Sequence, residues 1–139
     1  MTAWLRVYGV TLLVFLALDA MWLAFVGGPL YATTVGPLLA ERFRVAPALL
    51  FYLLHITGIM VLVLPVAHQR GGILSAFLYG AVFGLCTYGT YDLTSQAVMK
   101  FWTWPLTLVD MAWGGVVTGL AATAGAWMQR RCLAGLSAG

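Results

Sequence analysis

The chain has 139 residues, of which 63% are hydrophobic and 8% charged, with a formal net charge of +3. Soluble domains carry roughly a quarter charged residues, so this composition, with a mean hydropathy of +0.96, excludes a water-soluble domain and points to an all-α integral membrane protein. The few basic residues lie beside apolar runs, where they set topology and meet anionic headgroups rather than nucleic acid.

A helix needs roughly 20 apolar residues to cross a hydrocarbon core of about 30 Å, and four segments qualify. The first covers about 5–26 and is predicted to stop at Gly27, Gly28 and Pro29. Arg6 ahead of the run from Val10 to Leu18 imitates a signal peptide. The apolar stretch nevertheless continues through Trp22 to Val26 with no small-residue cleavage site, so it reads as an uncleaved first helix. The connection that follows, GGPLYATTVGPLLAERFRV, is long for a compact bundle and predicts a short interfacial helix. There Leu38, Leu39 and Phe43 would face acyl chains while Glu41, Arg42 and Arg44 stay among headgroups.

The second span, about 47–66, opens at Pro47, a favoured first-turn residue. The third covers about 72–97 and the fourth about 105–129, with short connections that make neighbouring helices antiparallel. The expected architecture is a four-transmembrane-helix bundle in a single domain. Its termini share one side with Arg6, Arg70, Arg130 and Arg131, four basic residues against Arg42, Arg44 and Lys100, three, on the other, which favours cytoplasmic termini. Gly80xxxGly84 and Gly115xxxGly119 would let the third and fourth spans approach closely.

Four acidic residues are present, and three of them, Asp19, Asp92 and Asp110, fall inside spans. An aspartate at the centre of a membrane helix costs on the order of 2.5 to 3.5 kcal/mol, less near the interface, so three together need partners, water or protonation. Asp19 lies about 10 Å before the end of its span and Asp110 about 8 Å after the start of its own. With spans one and three parallel and span four returning, all three acids reach one leaflet, the side of Lys100, Arg42 and Arg44. Tyr88, Thr90, Tyr91, Thr94, Ser95 and Gln96 add polarity on span three. Trp22 and Trp113 each follow an aspartate by three residues, on the same helix face. The repeated DxxW of LDAMW and VDMAW is not the signature of an inverted repeat of two-helix halves, which would relate spans one and three.

A purely structural polar lock is one reading of these acids; a ligand, proton or catalytic site is the other, and ionisable residues inside a membrane favour it. His55 and His68 are too far apart on one helix to share a haem iron, and a lone histidine in a bundle reads as hydrogen-bonded packing. Carboxylates alone suit a hard divalent cation. Cys86 and Cys132 sit at unlike depths without a CxxC, against a disulfide or zinc site. The sequence carries no HExxH, GxSxG, P-loop or dinucleotide fingerprint, and no cofactor or metal is expected from it.

LDAMWL in span one, FYLLHITG in span two, TYDLTSQAVMKFW at the end of span three and VDMAWG in span four resemble a family of small prokaryotic membrane proteins catalogued as domain of unknown function 2177. The resemblance covers nearly the whole chain, with TYDLT followed by a lysine as its most specific part. It implies Asp19, Trp22, Tyr91, Asp92, Thr94, Lys100, Asp110 and Trp113 as family-pattern positions, whereas Ser95 and His55 depart from the pattern. It implies no established activity; members neighbour genes for membrane fatty-acid modification and stress response, an association only.

The sequence thus favours a ligand site formed by Asp19, Trp22, Tyr88, Tyr91, Asp92, Thr94, Lys100, Asp110 and Trp113. It would bind a lipid headgroup or small polar ligand and assist membrane lipid modification. An accessory subunit of a larger membrane complex is the alternative, and proton-coupled transport by an oligomer is a third reading. Membrane lipids, a membrane-protein partner or further copies of the chain are the expected partners, and no catalytic motif is recognisable.

Overall fold

The computed structural model describes residues 2–137, and these are almost wholly helical. Four helical stretches are long and apolar enough to cross a membrane: Thr2–Leu38, Val45–Gln69, Ile73–Val98 and Trp104–Gly135. Their outward faces carry large apolar side chains, among them Leu13, Leu54, Leu74 and Val82, as a lipid solvent requires.

The first span does not stop at Gly27. Helix α1 (Thr2–Trp22) passes through a π-helical turn, Leu23–Gly27, directly into α2 (Gly28–Val35) and a final 3-10 turn, Gly36–Leu38. The separate interfacial helix expected around Leu38 to Arg44 does not form: α2 continues α1 without a break, and residues 39–44 are non-helical. The physical reason lies at Pro29. A proline lacks an N–H and pushes on the carbonyl four residues back. The wider turn relieves that crowding by shifting the ladder, so that the Gly28 N–H bonds Leu23 O. The second span repeats the device. Helix α3 (Val45–Gly58) leads through a π turn, Ile59–Val63, to α4 (Leu64–Gln69), where Pro65 sits in the first turn and the Leu64 N–H bonds Ile59 O.

The turn Arg70 to Gly72 includes two glycines with positive φ, 120° and 88°, which L side chains rarely adopt. Helix α5 (Ile73–Val98) then returns, and α6 (Trp104–Ser137) lies at the centre, more buried than the other spans. Small residues set how closely α5 and α6 pack. A Cβ on Gly84 would lie 2.1 Å from Gly114 O, and one on Gly80 2.8 Å from Ala122 Cβ. On the facing helix, a Cβ on Gly119 would meet Phe77 O at 3.0 Å, so both small-residue motifs lie in the contact. The apolar core runs through α1, α3, α4 and α6 around Phe15, Ile56, Ile59, Leu64 and Val117. A smaller cluster of Val35, Trp102 and Leu106 seats α2 against the start of α6.

Because the Gly84 contact is with backbone, it has no flexible neighbour to yield. Gly84→Val is expected to lower stability by about 1 to 3 kcal/mol. Gly9→Val, which meets nothing within 4 Å, should be near neutral. Thermal unfolding of both variants in mild detergent checks the contrast.

Candidate functional site

The close approach of α5 and α6 fixes the floor of a polar cavity. Gly114 leaves room for the Tyr88 ring, whose Cγ would lie 2.2 Å from any Cβ at that position. Across the bundle, Gly27 leaves room for the Trp22 indole, whose Nε1 would lie 2.5 Å from a Cβ there. Between these rings opens a cavity of about 530 Å³. Its walls come from α1 (Asp19, Trp22), the following π turn (Leu23), α2 (Tyr31), α3 (Phe51), α5 (Thr87, Tyr88, Thr90, Tyr91, Thr94) and α6 (Asp110).

Asp19 is 6% exposed and both of its oxygens accept hydrogen bonds: from the Tyr52 hydroxyl at 2.8 Å and from Trp113 Nε1 at 3.3 Å. One carboxylate thereby ties the first, second and fourth spans. Asp110, 5% exposed, accepts the Tyr31 hydroxyl at 2.6 Å, which binds α2 to α6. The two DxxW segments meet here, since Trp22 and Trp113 stack with centroids 4.7 Å apart and planes 5° from parallel. Trp113 donates to the aspartate of the other helix, whereas the buried Trp22 Nε1 is turned to Asp110 without reaching full hydrogen-bond geometry.

Asp92 is placed differently. It is 0% exposed, within electrostatic reach of Asp110, and neither of its oxygens has a hydrogen-bond partner. It is not part of the cavity wall, although its neighbour Tyr91 is. Thr90 and Thr94 bond back to the carbonyls of Cys86 and Thr90, so their hydroxyls satisfy α5 itself.

Of the residues singled out from the sequence, Asp19, Trp22, Tyr88, Tyr91, Thr94 and Asp110 share the cavity, and Trp113 supports it from behind. Lys100 does not face it. It is exposed in the connection between α5 and α6, its Nζ 5.9 Å from the Phe101 ring centre. A lysine there reaches water and headgroups more easily than a cavity between the helices. Tyr31, Phe51 and Tyr52 are not among the site residues expected from the sequence, which include none from the second span. Depth was the available signal, because Tyr52 follows Pro47 by the same five residues that separate Asp110 from Pro105.

His55 stays out of the polar cavity. Its Nε2 is 3.0 Å from Thr118 Oγ1, and the rings of Phe15, Phe51, Phe83 and Tyr88 surround it. A second polar network braces the turn between α5 and α6. Trp102 Nε1 donates to Thr107 Oγ1, which donates to Gln96 Oε1, each at 3.0 Å. Among the described residues, no group of three or more histidine, cysteine or acidic side chains is placed to hold a metal ion.

The hydrogen-bond donors to Asp19 and Asp110 are all neutral. Among the described residues the cavity wall therefore presents acidic oxygens and aromatic faces with no counter-cation, an arrangement suited to a polar or positively charged guest. A family model described as "Predicted membrane protein (DUF2177)" matches residues 4–127. No curated protein and no solved structure matches the chain.

The unequal satisfaction of the acids predicts unequal stability effects. Asp19→Ala strands two part-buried donors and should cost about 1 to 2 kcal/mol. Asp92→Leu removes two unpaired buried oxygens and should leave stability unchanged or raise it. Denaturant titration of the two variants in detergent micelles, followed by helical circular dichroism, measures both.

Proposed function

The chain belongs to the DUF2177 family of predicted membrane proteins, and we propose that it binds a lipid headgroup or small polar ligand in the cavity between Asp19 and Asp110. The observation that carries this reading is a cavity of about 530 Å³, within the range of small-molecule sites, with two buried carboxylates and the Trp22, Tyr31, Tyr88 and Tyr91 rings in its wall. Lys100 is left out of the binding set. The role is one of holding or presenting a membrane-borne molecule, in support of enzymes that modify lipids.

In this proposal the protein resides in the cytoplasmic membrane of a prokaryote with its termini inside, as the four basic residues of that side against three favour. The cavity then belongs to the outer leaflet. Lipids are its immediate partners, and further copies or another membrane protein are candidates for its lipid-facing sides.

A second reading has a specific observation in its favour. The bonds from Tyr52 and Trp113 to Asp19, and from Tyr31 to Asp110, join different helices. On that basis the cluster would be an interhelical lock in an accessory subunit. The two readings part in one experiment, native mass spectrometry of the gently purified protein and of Asp19→Asn and Asp110→Asn, both of which keep an acceptor. Ligand binding predicts a small-molecule adduct on the wild type that falls at least about tenfold in both variants, a change of about 1.4 kcal/mol or more in binding. A lock predicts no adduct and a stoichiometric protein partner that survives both substitutions.

A further inference from the structure

A second cavity, of about 600 Å³, adjoins the first. Phe51, Thr87 and Thr90 belong to the walls of both. The second runs between the second span and α5, along Leu54, Gly58, Val61 and Leu62 to Phe83, and its only other polar side chains are His55 and Thr57. The Thr57 hydroxyl is turned back to Leu53 O, and His55 Nε2 is bonded to Thr118, so the rest of the groove is apolar. Leu54, Val61 and Leu62 are more than half exposed, so this groove is open to the lipid side. From Phe51 to Leu62 the helical rise is about 16 Å. That is close to half of a hydrocarbon core of about 30 Å, the depth of one leaflet's chains.

The first cavity differs in its chemistry. Its acids have neutral donors only, its walls are aromatic, and the buried Trp22 N–H, turned to Asp110, falls short of a full hydrogen bond. A phosphate or carboxylate headgroup would meet like charge there without a cation to receive it. An ammonium group would meet carboxylates and aromatic faces together, the surroundings that recognise quaternary ammonium ligands. An oxygen close to that ammonium would satisfy the Trp22 N–H.

Resting on the ligand-binding reading above, we propose that the guest is a cationic single-chain amphiphile. Its ammonium lies between Asp19 and Asp110, a neighbouring oxygen accepts from Trp22, and its acyl chain lies in the groove between the second span and α5. Such a molecule reaches the site sideways from the leaflet rather than from water. The π turn Ile59–Val63, which contributes Val61 and Leu62, then serves the ligand as well as Pro65.

Palmitoylcholine carries all three features and is the probe, with acetylcholine as the short cation and palmitate as the anion of equal chain. Titrations use the full chain in dodecylmaltoside with native mass spectrometry. One palmitoylcholine is expected per chain, bound about tenfold more tightly than acetylcholine, with no palmitate retained. Asp110→Asn, with folding verified by circular dichroism, should weaken both cations about tenfold. Val61→Phe, a lipid-facing change that narrows the groove, should weaken palmitoylcholine about fivefold and leave acetylcholine unaltered. Equal affinity for the two cations, or indifference to Val61→Phe, overturns the chain assignment while leaving a polar site. Preferential retention of palmitate overturns the cation assignment. If neither cation depends on Asp110 while a co-purified adduct still does, this inference fails alone. If no adduct depends on Asp19 or Asp110, the ligand-binding reading fails with it.

Discussion

A carboxylate within a bilayer has little water to solvate it, so its hydrogen-bond donors must come from protein. Asp19 obtains them from Tyr52 on the second span and Trp113 on the fourth. Each donor in turn needs that acceptor, since a phenol or indole N–H left unpaired among apolar groups is also costly. Three spans are thereby fixed at one depth by a single side chain. Asp110 does the same for α2 through Tyr31. With these two acids in place, the aromatic rings between them have defined positions and the cavity has defined walls.

Backbone geometry makes the arrangement possible. The small-residue contact between α5 and α6 brings Tyr88 against Gly114. The π turn at Leu23–Gly27 carries the first helix past Pro29, so that Tyr31 continues on α2 toward Asp110 instead of leaving in a loop. Wide turns of this type often occur at functional sites. Here both of them, Leu23–Gly27 and Ile59–Val63, contribute residues to cavity walls, Leu23 in one and Val61 and Leu62 in the other.

What the sequence made legible follows from terms that act along one helix at a time. Hydropathy located four spans, and counting rise from each span's ends brought Asp19 and Asp110 to one level, where they share a cavity. The end of the first span was misjudged because Gly27, Gly28 and Pro29 are helix breakers in water, whereas lipid penalises an open backbone enough to keep the helix and change its pitch. That error placed Tyr31 in a loop. Lys100 was assigned to the acids from depth and charge, but depth does not specify direction, and its side chain points elsewhere. The distinction between Asp19, doubly bonded, and Asp92, wholly unpaired, depends on rotation about each helix axis. That is decided by packing of α5 on α6, which no single segment encodes.

Asp19 joins three spans through its two acceptor oxygens rather than merely lying near them. A double-mutant cycle of Asp19→Ala and Tyr52→Phe, read as unfolding free energy in mild detergent, tests this most directly. A coupling of about 0.6 kcal/mol or more is the predicted result, the average for hydrogen bonds between membrane helices being about 0.6 and the largest about 1.7 kcal/mol. Strict additivity of the two substitutions would contradict it, because the Tyr52 hydroxyl would then contribute nothing through Asp19.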